Sequence, residues 1–104
     1  MQKNNNKLQY FVLICNPKQK SKFSSLLNER GVKNITTVSA HGSVSQGVLA
    51  KAFGLETTNK KLMLSALIPT ETAKELIEIL YKEYEFSKPN TGIAYTIPVE
   101  GLLF

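Results

Sequence analysis

Short continuous apolar runs alternate along the chain with stretches in which apolar residues recur at helical spacing. Residues 8–15, LQYFVLIC, are rich in aromatic and branched side chains and predict a strand. Asn16-Pro17 follows. Asparagine is a good N-cap, and proline suits the first helical turn, where its missing N–H costs nothing. Phe23, Leu26 and Leu27 stand at i, i+3 and i+4 and predict a helix that Gly31 ends. Residues 33–39, KNITTVS, contain four consecutive β-branched side chains and predict a second strand. Residues 61–68, KLMLSALI, predict a third, ended by Pro69, with Thr70 expected to cap a second helix. On that helix Ala73, Leu76, Ile77, Leu80, Tyr81 and Tyr84 form an apolar stripe. Lys74, Glu75, Glu78, Lys82 and Glu83 face away, and Glu78 and Lys82 make an i, i+4 pair. A turn at 87–92 leads to a last strand at 93–99, where Pro98 indicates an edge.

The order is β-α-β, a long connection, then β-α-β. Two such halves interleave into an α+β, ferredoxin-like βαββαβ fold: a four-stranded antiparallel sheet with two helices on one face. The expected organisation is a disordered stretch at 1–7 and a single domain over 8–104, with an excursion at 40–59. The strands do not alternate apolar with polar residues, as a sheet covered on one face should. Tyr10 to Ile14 are all apolar, as are Leu62 to Leu64 and Ala66 to Ile68. Both faces therefore call for burial, and two helices cover one. Further copies of the chain, in a closed homo-oligomer, are the expected cover for the other.

Composition narrows the function classes. The chain has 104 residues, enough for one domain, and no apolar run near the roughly 20 residues that span a bilayer. Its single cysteine, Cys15, lies among apolar neighbours and reads as a small core residue; a chain with no internal disulfide fits the cytoplasm. Net charge is +5, from 13 basic and 8 acidic residues, which favours anionic partners. The lysines are scattered, with no basic stripe interleaved with aromatics, so nucleic acid is not the expected partner.

The stretch AHGSVSQGVLAKAFG, 40–54, is the one candidate for loop chemistry. It resembles the glycine-rich phosphate turn of acylphosphatases. In that family the turn joins the first strand to the first helix and ends in arginine; here the stretch follows the second strand, and Lys51 stands where arginine would. It also lacks the GK[ST] ending of a Walker A loop. One cysteine and one histidine, His41, supply neither a triad nor a four-ligand metal site. Neither a catalytic residue nor a resident metal is expected. Val48, Leu49, Ala52 and Phe53 have helical spacing, so a short helix is expected inside the loop.

The segments GVKNITTVSAHG, LIPTETAKELIEIL and KPNTGIAYTIPVE resemble the PII nitrogen-regulatory signalling family, above all its short PII-like branch, over residues 8–100. The ending TGIAYTIPV is the most specific part. The resemblance implies a trimer with its sheets facing inward. It makes 40–59 the counterpart of the T-loop, with which PII proteins engage transporters and enzymes. It also implies ATP, ADP or AMP in a cleft between subunits, at positions matching Ile14, Thr36, Gly42 and Gly92; Ser43 is a further candidate contact, and Lys88 a candidate replacement for a phosphate-binding cation. Gln46, Lys51 and Phe53 fall on the partner-binding loop. Gly42 and Gly92 make physical sense as places where backbone N–H groups approach a phosphate. Two departures bear on the ligand: Ile93 replaces the lysine that contacts phosphate in classical PII, and the C-terminal arginines have no counterpart.

The expected function is a non-enzymatic regulator, a cytoplasmic homotrimer that senses a small anionic ligand and reaches a membrane only through a protein partner. The alternative is a ferredoxin-like trimer of the divalent-cation-tolerance type, acting as metal binder or scaffold.

Overall fold

A computed structural model describes residues 7–40, 60–88 and 91–102. The element order is β1 (Leu8–Cys15), a 3₁₀ turn (Pro17–Gln19), α1 (Lys20–Glu29), β2 (Thr36–Ala40), β3 (Lys61–Pro69), α2 (Thr70–Glu83) and β4 (Ile93–Pro98). The sheet is fully antiparallel in the order β2-β3-β1-β4, which is the ferredoxin-like arrangement. The segments 1–6 and 41–59, and with them the short helix expected around Val48 to Phe53, lie outside the described residues.

Local chemistry explains the element ends. Asn16 Oδ1 accepts the Lys18 N–H at 3.0 Å, while Gln19 Oε1 accepts the Asn16 N–H at 3.4 Å. This box closes the 3₁₀ turn from which α1 starts. Gly31, at φ +86, takes the left-handed conformation that ends α1, and the Val32 N–H donates back to the Leu27 carbonyl at 3.0 Å. That return turn places Val32 in the core and delays β2 to Thr36, three residues after the expected start. At α2 the cap is Pro69, in extended conformation, and no side chain caps the helix. Thr70 is its first residue, and its N–H donates to the Lys7 carbonyl at 2.7 Å. The expected Thr70 cap is thus replaced by an extended proline that turns the backbone directly into the helix.

The core lies between the sheet and the helices. Phe11, Leu13 and Cys15 of β1 and Leu62, Leu64, Ala66 and Ile68 of β3 meet Phe23, Leu26 and Leu27 of α1 and Ala73, Leu76, Ile79 and Leu80 of α2. The stripe on α2 is rotated from the expected one. Ile79 is buried, whereas Tyr81 is 61% exposed. The run Ile77–Tyr81 is apolar at four of five positions, so sequence periodicity leaves the phase open and packing against the strands sets it.

Pairing fixes which residues share the other face. Ile97, Tyr10 and Leu67 form one row, Tyr95, Val12, Ser65 and Thr36 the next, and Ile93, Ile14, Met63 and Val38 a third. Tyr10, Leu67, Tyr95, Ile97 and Val38 are large, apolar and exposed.

Candidate functional site

The turn between α2 and β4 builds the site. Glu85 takes a left-handed backbone, φ 59, and the Phe86 N–H donates to the Leu80 carbonyl at 3.0 Å, closing the helix. The Lys88 N–H donates to the Glu85 carbonyl at 2.9 Å, and Thr91 Oγ1 donates to the Lys88 carbonyl at 2.7 Å. The Lys88 ammonium lies 3.4 Å from the Glu85 carboxylate, both largely exposed. The chain then enters β4 through Gly92, at φ +138 and buried.

Gly92 is required there. A Cβ at this position would lie 2.9 Å from the Ile14 carbonyl oxygen and 2.9 and 3.1 Å from Cζ and Cε2 of Phe86. The register Ile14↔Ile93 explains the contact, since it brings the end of β1 beside the start of β4. Ile14, Gly92 and the turn carrying Lys88 therefore come together. Thr36 does not join them. It is exposed on β2, the opposite edge strand, two strand spacings from Ile14 on β1 and three, or about 14 Å, from β4, which Gly92 enters. Gly42, Ser43, Gln46, Lys51 and Phe53 lie outside the described residues.

Cys15, next to Ile14, faces the core with no solvent exposure, and burial pushes its thiol up to about 11. It stays protonated near neutral pH and offers no thiolate nucleophile. Among the described residues no group of three or more His, Cys, Asp or Glu could hold a metal ion. No described helix is long and apolar enough to cross a membrane. A groove of about 700 Å³ runs between α2 and β4, lined by residues that include Gln9, Ile77, Tyr81 and Thr96, and contains none of the predicted site residues.

One residue packed against the candidate site escaped sequence reasoning. Phe86 sits in the polar segment Glu85-Phe86-Ser87, and its only signal is a lone aromatic where a turn should be hydrophilic.

Solved structures share this architecture. CPII, a nitrogen regulatory PII-like protein from Thiomonas intermedia K12 bound to ADP, AMP and bicarbonate, superposes with a TM-score of 0.70 at 20% identity, over 100% of this chain and 98% of that one. A PII-like signalling protein from Thermus thermophilus gives 0.68 at 18%, over 97% and 94%. Arabidopsis thaliana PII bound to citrate gives 0.64 at 16%, over 91% and 79%. At these identities the likeness establishes a common fold. No curated protein matches the chain in sequence. The sequence model described as Nitrogen regulatory protein P-II matches residues 8–103, nearly the full length. The chain, with its ferredoxin-like sheet and glycine-gated turn, belongs to the nitrogen regulatory protein P-II family.

Proposed function

We propose that the chain is a non-enzymatic regulatory subunit. Three copies assemble through the open sheet face, an adenine nucleotide binds in the cleft between neighbours, and the 40–59 segment carries the signal to a protein partner such as a transporter or metabolic enzyme. Its place is the cytoplasm, with any membrane contact made through that partner. One domain spans 8–104.

The observation that carries this reading is the separation of Thr36 from Ile14 and Gly92. Thr36 lies on one edge strand, β2, whereas Gly92 leads into the other, β4, with Ile14 on the inner strand β1 beside it. A single cleft that uses both is formed where the β2 edge of one copy approaches the β4 edge of another. The exposed apolar rows on the open face supply the driving force. Covering the remaining half of each side chain contributes on the order of 1 kcal/mol. The net charge of +5 suits an anionic ligand, as do the nucleotides, bicarbonate and citrate bound by the structural neighbours. Gly42 and Ser43 would complete the phosphate contacts from the neighbouring loop base. Lys88 would offset the lysine replaced by Ile93, and Gln46, Lys51 and Phe53 would meet the partner.

Ligand binding shifts the loop only to the extent that the ligand prefers one loop conformation. Isothermal titration with ATP, ADP, AMP and cyclic dinucleotides tests the proposal. Saturable binding of an adenine nucleotide at one site per chain is expected. A trimer that binds none of them would remove the nucleotide from the account.

A further inference from the structure

Phe86 has no part in the proposed set of ligand contacts, yet three constraints meet on it. Its N–H is tied to the Leu80 carbonyl at 3.0 Å. The preceding Glu85 holds a left-handed φ of 59, a conformation disfavoured for a non-glycine residue. That reversal carries residue 86 back against the helix layer. There its ring stands edge-on to Phe23, with centroids 5.6 Å apart and planes at 81°. Phe23 is 1% exposed and also packs on Tyr84 at 5.4 Å, so the ring is anchored to a fixed part of the core.

The far edge of the same ring occupies the volume a Gly92 side chain would fill. Cζ and Cε2 lie 2.9 and 3.1 Å from that Cβ position, and the Ile14 carbonyl closes the other side at 2.9 Å. Gly92 is thus clamped between a strand and an aromatic edge. The hydrogen bond from Thr91 to the Lys88 carbonyl, and the one from Lys88 to the Glu85 carbonyl, tie the rest of the turn to the same support.

We infer that Phe86 is a positioning residue of the ligand cleft: braced on Phe23, it fixes Gly92 against the Ile14 carbonyl and sets the direction in which the turn presents its backbone and Lys88 to an anion. The inference rests on the cleft reading above, with ADP as the probe. It separates Phe86 from residues that merely fill the core, because loosening the ring releases the turn as well as costing stability.

The test compares Phe86→Leu with Ile68→Val. Ile68 is buried at the opposite end of the sheet, paired with Gln9, and its trimming serves as a stability control. Phe86→Leu is expected to weaken ADP binding by roughly tenfold, the scale of one misplaced charged hydrogen bond. It should also shift the ligand-free backbone resonances of Thr91 to Ile93. Ile68→Val should do neither at a similar loss in thermal midpoint. Phe86→Met, of similar bulk but without the flat ring edge, replaces the leucine variant if that chain does not fold. Wild-type binding with equal ADP affinity in Phe86→Leu overturns the inference and leaves the cleft standing. Absence of ADP binding in the wild type overturns the cleft and the role of Phe86 with it.

Discussion

The two faces of the sheet come from alternate residues of the same strands, yet they meet different fates. Phe11, Leu13, Cys15, Leu62 and Leu64 lie under the helices at no more than 4% exposure. Tyr10, Val38, Leu67, Tyr95 and Ile97, on the other side, remain 38–48% exposed. The open face is not simply a core without a lid. At its centre Val12 and Ser65 are each 1% exposed, and the Tyr10 hydroxyl donates to Ser65 Oγ, in the next row, at 2.8 Å. The centre is dry within one copy, while the rim stays exposed. Apolarity along a strand states how much surface must be covered, but not whether the cover comes from the same chain.

The contrast is broken most severely on the covered face. Phe11→Ala removes a ring with no solvent exposure from the middle of the core and is expected to cost about 3–5 kcal/mol in denaturant unfolding. A cost below about 1 kcal/mol would mean that the helix layer does not pack as described.

A smaller effect on the same face is read by pH. The Cys15 thiol is raised from 9.0 to about 11, so the folded state holds its proton where the unfolded chain gives it up. Its contribution is fully present below pH 9 and is lost as pH rises through 11, by about 2–3 kcal/mol in total. Wild type and Cys15→Ala, compared by urea midpoint from pH 8 to 11, isolate it from the other titrating groups. Parallel curves would show that the thiol is not held in a dry site.

The ease of reading each region follows from how local its determinants are. β1 was legible to the residue, because an unbroken apolar run meets Asn16-Pro17, and both signals act within one turn of chain. The phase of α2 was not, since Ile79 and Tyr81 compete for the same stripe and only the strands beneath decide between them. The start of β2 was misplaced because Ile35 has strand character but is spent packing on the core from the turn. In the site, Gly92 announced itself as a glycine before a strand. The reason it must be glycine is the Phe86 ring and the Ile14 carbonyl, and no local pattern could show those. The distance of Thr36 from Gly92 was equally hidden, since it depends on strand order rather than on either residue's neighbours.

The smallest effect on folding is expected at the rim of the open face, and it is the one that separates the two faces most sharply. Leu67 is 46% exposed beside Tyr10, in the row that ends at Ile97. Leu67→Glu leaves its carboxylate free to reach water in a single copy, so the change in unfolding free energy should stay within about 0.5 kcal/mol. In an assembly that covers this face the same carboxylate is buried without a partner, at a cost of several kcal/mol. Sedimentation at micromolar concentration should therefore find the wild type at three times 11.6 kDa and the variant at 11.6 kDa with its circular dichroism unchanged. A variant that stays trimeric would show that some other surface joins the copies. A variant that unfolds on dissociation would show that the helix-covered core cannot stand alone. The two faces would then form one cooperative unit rather than a finished core and a waiting surface.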